Sequence, residues 1–477
     1  MEKKANRDIV GVVAYAIIIA VFFFVEPVAP ITNVGMKVLG VFIAAIVGWA
    51  LTSNAVWVSM ATLVLFPFTG VATYSQVIAT TFGNDLFVFA MFIFAFTGYL
   101  TISGAASTLA LRLINANFAK KNPWLLLFIL LFATWLLAAF TKTAGAILLM
   151  WSIVYAMCKE LDEKPFGTFS NVLVFGVAAI GAVGMGSIPW KSTSLINLGI
   201  YTKATGLSVN YVEFFLYSLP VMLLSIVGYL LLARFVFKFD VSRMRSFEVS
   251  SENASDLVFT PEKKIALGSL IVLCVLFLLP SILPAGNIIS TTIDSLGMAL
   301  VAIAIFAVLS LIRVDGKSVF SFPEVAKTLP WGILIMIACI MAFLSYLGDA
   351  STGINAFLTG VVGGLFANAT PIVFLLAIGI VCVILTNLMT NVVVGMILMQ
   401  AFVPAAMAMG IDPIYVAYII SGTCVIALLL PNSGAASIVL FANNEWMKMK
   451  DIYKLGIPTV VLFTLIAVLW GFAMMVL

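Results

Sequence analysis

The 477-residue chain has no histidine, and only 9% of its residues are charged. Without histidine there is no imidazole for general acid–base work or for the usual zinc and haem sites. Its five cysteines, Cys158, Cys274, Cys339, Cys382 and Cys424, lie in or beside apolar segments without paired spacing. Neither a disulfide framework nor a metal knuckle fits that pattern, and no cofactor is expected. Paired carboxylates and a nucleophile–base pair are also missing, so no catalytic constellation can be assembled and the chain does not read as an enzyme. The net charge of +4 is dispersed among loops between apolar runs, unlike a nucleic-acid footprint.

What is abundant is apolar sequence. Hydrophobic residues make up 63% of the chain, mean hydropathy is +1.21, and runs long enough to span a bilayer recur from end to end. The expected fold is an all-α polytopic membrane protein. A basic stretch, MEKKANRD, precedes the apolar run 9–25, which reads as a first span and not as a cleaved leader. Further spans are expected near 36–51, 54–68, 85–111, 171–200, 214–233, 265–283, 296–312, 331–347, 414–442 and 457–475. Two long apolar segments, 123–157 and 371–409, are interrupted in their middles by FTKTAG and LTNLMTN. Each reads as a re-entrant hairpin that enters and leaves on one side, giving eleven spans plus two hairpins.

Charge supports that count. Around residues 3–7, 112–121, 159–164, 234–264, 313–327 and 448–454 lie twenty of the 24 lysines and arginines, and all six places become cytoplasmic under this topology. The loops assigned outside hold only Lys37 and Lys203. The N-terminus is then cytoplasmic and the C-terminus outside, in the plasma (inner) membrane. Making either hairpin a full crossing would invert every later loop and put basic clusters outside.

The chain also repeats. After residues 1–35, repeat 1 covers 36–237 and repeat 2 covers 265–477, with the polar linker 238–264 between them. Each repeat holds a hairpin, 123–157 or 371–409, followed by a span broken at a proline. These are 171–200, with GMGSIPWKSTSLIN around Pro189, and 414–442, with IALLLPNSGAASIV around Pro431. One repeat starts outside and the other inside, so their topologies are inverted. Inverted repeats with Gly/Pro-interrupted segments at matching places point to a secondary transporter whose site lies at the repeat interface. Four stretches carry the expected chemistry: Thr141–Gly145, Thr390–Val394, Pro189–Ser194 and Pro431–Ser437. A helix interrupted inside the bilayer frees backbone N–H and C=O groups, and hydroxyls and amides beside half-helix N-termini suit a carboxylate. A single such break is commonly no more than a packing or kinking device; four at repeat-related positions are not.

At these residues the sequence resembles the divalent anion/sodium symporter family, the INDY-type di- and tricarboxylate carriers. The tips TKT and TNV resemble that family's paired Ser-Asn-Thr motifs. PWGILIMI before a span and the closing LPNSGAASIVLF extend the likeness over nearly the whole chain. The resemblance implies a homodimeric elevator, with a transport domain carrying both hairpins past a scaffold, and sodium sites formed by each tip with its facing broken span. Thr141 and Thr143 match the first Ser and Thr, while Thr390 and Asn391 match the second Ser and Asn. Lys142 stands where the first Asn would be, Val392 where the second Thr would be, and Lys191-Ser192 and Ser433-Gly434 where the family has Thr-Pro pairs.

Those departures set the expected mechanism. Lys142 and Lys191 lie in the site-forming breaks of repeat 1 with no carboxylate in either segment, and of the acids near span ends, Asp85, Asp294 and Asp349, Asp85 is the expected candidate partner. A charge at mid-bilayer costs about 2.5–3.5 kcal/mol on insertion scales and usually marks function; a structural ion pair or snorkelling is the plainer alternative. Built-in ammonium groups in place of sodium point to the sodium-independent exchanger branch, taking succinate, malate, fumarate or 2-oxoglutarate. Sodium-coupled symport is the alternative, through a weak site near Thr386, Asn391 and Asn432. A cation/proton antiporter of a related fold ranks below both, because no titratable carboxylate lies at a break.

The topology is checked by cysteine labelling on a cysteine-free background. A single cysteine between Thr352 and Asn368 should react with an impermeant reagent added outside, and one between Ser246 and Asp256 only after permeabilisation. The reverse pattern would overturn the orientation.

Overall fold

The structure, a computed structural model, describes residues 2–477 apart from 53, 117–121, 243, 245–256, 285, 367 and 432. Residues 243 and 245–256 of the linker expected at 238–264 therefore lie outside the described residues.

Among the described residues twenty-one α-helices follow one another. In the first half they are α1 (Glu2–Phe24), α2 (Asn33–Leu51), α3 (Ala55–Thr69), α4 (Tyr74–Thr81), α5 (Asp85–Ser103), α6 (Ala105–Ile114), α7 (Pro123–Phe140), α8 (Thr143–Glu160), α9 (Thr168–Gly184), α10 (Ser192–Thr205) and α11 (Tyr211–Leu231). The second half runs α12 (Pro261–Ile282), α13 (Ile288–Leu311), α14 (Phe322–Ala326), α15 (Trp331–Leu347), α16 (Ile354–Phe366), α17 (Pro371–Leu388), α18 (Asn391–Ala408), α19 (Pro413–Thr423), α20 (Ala435–Ala442) and α21 (Met449–Val476). From α2 to α11 and from α12 to α21 the succession of long, short, paired and broken helices is the same.

Local chemistry sets many of these ends. Asn122 and Asp412 accept hydrogen bonds from first-turn N–H groups, and proline at the first helical position follows each. Gly104 (φ +67) ends α5 and divides the stretch 85–111, which had been expected as one span, into α5 and α6. A second departure is α16, which the hydropathy reading missed. Nor is the fold purely helical: Arg313–Val314 pairs antiparallel with Lys317–Ser318 across Asp315 and Gly316, both at positive φ, as a two-residue hairpin turn requires. By length and composition, nine helices among the described residues can cross a membrane.

Packing sorts the helices into two groups. One comprises α1–α5 with α12–α15; the other comprises α7–α11 with α17–α21. Between them run α6, which packs on α7 and α12, and α16, which packs on α18. The halves also exchange partners. Helix α10 lies on α18 and α19, and α20 lies on α8 and α9. Of these two, α10 also packs on the first group, at α5 and α15. Just before it, Trp190 sits edge-on to Phe277 of α12 at 5.2 Å and to Tyr211 and Phe215 of α11, Gly199 abuts Leu86 of α5, and Lys203 Nζ donates to Ser345 Oγ of α15.

The turn after α15 is docked on the start of α2. Asp349 accepts hydrogen bonds from the Ser351 hydroxyl and N–H, which hold its carboxyl below the usual carboxylate range, while Thr32 Oγ1 donates to Ser351 O at 2.7 Å. Gly353 takes φ +69, and a Cβ there would lie 2.0 Å from Pro30 O. Gly353→Ala should therefore destabilise the protein by about 2 kcal/mol or more, whereas Gly360→Ala, at an open helical position in α16, should be neutral or stabilising. Thermal unfolding in detergent checks the contrast, and equal midpoints for the two variants would contradict it.

Candidate functional site

The first tip forms where α7 runs out. Thr141 is extended (φ −129, ψ −172), Lys142 caps the next helix (φ −69, ψ 120), and α8 starts at Thr143. Two residues thus reverse the chain. Both the N–H and the hydroxyl of Thr141 donate to Leu137 O, at 2.7 and 2.6 Å, so its side chain is turned back along α7. Thr141 and Thr143 are buried, and Lys142 is exposed.

The facing interruption covers residues 185–191, between α9 and α10. Ser194 Oγ donates to Gly186 O at 3.1 Å, and Ser218 Oγ donates to Ser187 O at 2.8 Å, so serines take up carbonyls that lost their helical partners. Lys191 stands at the N-cap of α10 and extends its ammonium to Thr141 O, 2.5 Å away. That oxygen is at the C-terminal end of α7, where partial negative charge collects. The break and the tip are thereby joined by a charged hydrogen bond. The expected candidate partner Asp85 is exposed at the start of α5, and among the described residues no carboxylate pairs with Lys142 or Lys191. Ser192 is half-buried beside Lys191.

The second tip has the same backbone. Met389 is extended (φ −140, ψ 177), Thr390 is the N-cap (φ −68, ψ 141), and Asn391 starts α18. Cap for cap, Lys142 therefore pairs with Thr390 and Thr143 with Asn391, one residue away from the tripeptide register that set Thr141 opposite Thr390. The Gly434 N-cap of α20 likewise pairs with Lys191. Thr390 is exposed, and Asn391 and Ser433 are buried.

At this tip neutral groups do the joining. Thr386 Oγ1 lies in hydrogen-bond contact with Cys424 O and 3.1 Å from Asn391 Oδ1, and a Cβ on Gly434 would lie 3.1 Å from Asn391 Oδ1. One hydroxyl proton faces two acceptor oxygens. Three oxygens therefore converge without a positive side chain, a donor set suited to a small hard cation. Asn432, the other residue expected there, lies outside the described residues. Ser433 Oγ is 3.0 Å from Ser437 Oγ, which accepts from Gly434 N–H at 2.8 Å.

Sequence reasoning passed over the residue that holds this break. Asn387 Oδ1 accepts from the N–H groups of Leu428 (3.0 Å) and Leu429 (2.7 Å), and its Nδ2 donates to Ile426 O and Val383 O. One buried carboxamide thus satisfies three backbone groups of the interruption and one of its own helix. The signal was available, since Asn387 is the other amide of LTNLMTN. The two clusters share no direct hydrogen bond among the described residues. Asn197 on α10 connects α10 to the second cluster, donating to Ser421 Oγ at 3.3 Å and Cys424 Sγ at 3.7 Å.

Comparison with known proteins agrees with this geometry. Residues 42–421 match the family model described as CitMHS, citrate transporter. The sodium-dependent dicarboxylate transporter SdcS of Staphylococcus saprophyticus is 24% identical over 452 residues, covering 87% of this chain and 82% of the relative. Its namesake from Staphylococcus aureus strain USA300 is 21% identical over 442 residues, with the same coverage. Among solved structures, the fold is similar to that of the Alcanivorax borkumensis YdaH transporter (TM-score 0.60, 16% identity, 98% of both chains). It is also similar to Neisseria gonorrhoeae MtrF (TM-score 0.54, 13% identity, 98% of this chain and 94% of that one). With most of its length inside one family model, and with helix interruptions at the tips and breaks where its motifs placed them, the chain belongs to the citrate-transporter family and is a membrane carrier of the di- and tricarboxylate type.

Proposed function

We propose that this protein exchanges C4 and C5 dicarboxylates, such as succinate, malate, fumarate and 2-oxoglutarate, across the plasma membrane without sodium. The dicarboxylate class is supported by the relatives, which are named dicarboxylate transporters. The observation that carries exchange is the Lys191 ammonium on the Thr141 carbonyl. In this reading the ammonium stands between tip and break, where a coupling cation would otherwise sit. Lys142, exposed and with no carboxylate partner among the described residues, faces the substrate at the same tip and pairs with one of its carboxylates. Substrate contacts then come from Thr141, Lys142, Thr143, Lys191 and Ser192 in repeat 1, and from Thr390, Asn391, Ser433 and Gly434 in repeat 2.

The two packing groups supply the moving parts. The group holding both tips and both breaks is the transport domain of an elevator, the other is its scaffold, α7–α8 and α17–α18 are the re-entrant hairpins, and the working unit is a homodimer. An unpaired ammonium carried past an apolar scaffold loses hydration without gaining a partner. A carboxylate about 4 Å away recovers on the order of 4 kcal/mol at an effective dielectric of 20, so loaded return is favoured over empty return. A second reading has its own observation: the converging oxygens of Thr386, Asn391 and Cys424 could hold one Na⁺ as cargo, as the sodium-dependent relatives suggest.

Proteoliposomes separate the two. Vesicles preloaded with succinate and free of Na⁺ should take up labelled succinate about tenfold faster than empty ones, and a Na⁺ gradient should add little. Lys142→Asn should raise KM about tenfold, the loss of one charged contact. Uptake into empty vesicles driven by Na⁺ alone would replace exchange with symport through the second tip, and unchanged kinetics in the variant would remove Lys142 from the site.

A further inference from the structure

Asn197 lies in the middle of α10, wholly buried, and its surroundings are costly in two ways. First, its Oδ1 has no hydrogen-bond partner. Second, it lies against Gly395, where a Cβ would come within 2.3 Å of that oxygen, so α18 carries a glycine inside a helix to admit it. An unpartnered buried carbonyl and an interior helical glycine each destabilise a fold. Together they keep a first-half side chain pressed on the turn of α18 that begins at Asn391.

The other end of the carboxamide reaches the second interruption. Asn197 Nδ2 donates to Ser421 Oγ and Cys424 Sγ, Cys424 O is in contact with Thr386 Oγ1, and Thr386 Oγ1 meets Asn391 Oδ1. Asn391 lies one turn before Gly395 in α18, which closes the circuit back to Asn197. Among the described residues no second-half amide reaches the first tip in this way; Asn443, which follows α20, donates to Tyr155 Oη further along α8. Matching the caps of α10 and α20 sets Leu440 opposite the neighbourhood of Asn197, and Leu440 has no polar group to offer.

We propose that Asn197 is a positioning residue: from the first half it fixes the Cys424 carbonyl and the Asn391 carboxamide, and so sets the affinity of the second tip for the carried anion. This rests on the dicarboxylate reading above, and the test keeps the two apart. Asn197→Ala deletes the brace. Gly395→Ala leaves every polar group in place and displaces the brace with a methyl group. Under the proposal both variants raise the KM for succinate counterflow about tenfold with Vmax within about twofold, and the double variant is no worse than either one, because all three lack the same contact. Amide hydrogen exchange at residues 424–430 quickens in each, and exchange at 186–191 does not change.

Recovery of the wild-type KM in the double variant would mean that Asn197 only fills space, and the proposal would fall. An unchanged KM in both single variants would also end it. If Asn197→Ala does not fold, Gly395→Ala carries the same comparison. Should wild-type vesicles show no dicarboxylate counterflow, the proposed function fails by itself. Exchange at 424–430 then still decides the brace: quickened exchange in Gly395→Ala upholds it, and unchanged exchange rejects it.

Discussion

Everything at this site depends on one constraint: a helix that stops in an apolar slab must have its freed backbone groups satisfied from within the protein. Four chain interruptions meet here, and named side chains serve the first tip and both breaks. Lys191 takes the Thr141 carbonyl, Ser194 takes Gly186 O, Asn387 takes the N–H groups of Leu428 and Leu429, and Ser437 takes the Gly434 N–H. Of the residues expected at the site, Lys191, Thr141 and Ser433 each donate from the side chain to a backbone carbonyl.

The halves meet this constraint with different chemistry. In the first, a full positive charge joins break to tip; in the second, a neutral amide and a hydroxyl do so. An ammonium group brings its own counter-charge requirement with it through any motion, and an oxygen cluster does not. The partner swap of α10 onto α18 and α20 onto α8 brings both solutions into a single packed group.

Much of the fold was legible in the sequence because the bilayer enforces length and polarity. The interruptions at FTKTAG, LTNLMTN, Pro189 and Pro431 were found from polar residues inside apolar runs, and most helix ends followed within a few residues, although α1, α13 and α21 start seven or eight residues before the expected spans. Gly104 escaped notice, since a left-handed cap inside an apolar run leaves hydropathy unchanged. Register at the tips came out one residue away because a tripeptide match does not show where the backbone leaves the helix, whereas the φ and ψ of Thr141 and Met389 do. The two lysines looked equivalent in sequence. Burial separates them, and only the three-dimensional fold sets Lys191 against the end of α7 and leaves Lys142 exposed. Asn387 and Asn197 were passed over for a related reason, as their partners are backbone atoms and side chains far along the chain.

Trp190, locked among Phe277, Tyr211 and Phe215, has a consequence for how the two halves can diverge. Helix α10 and the Trp190 before it must fit α5, α12 and α15 on one side and α18 and α19 on the other, whereas the main packing of α20 among the described residues is on α8 and α9 of its own group. A substitution in α10 thus needs compensation in two places, and one in α20 needs it in one. Duplicated halves that began interchangeable would lose that freedom unequally, with the second half left as the more permissive ground for evolving a new ion or acid preference.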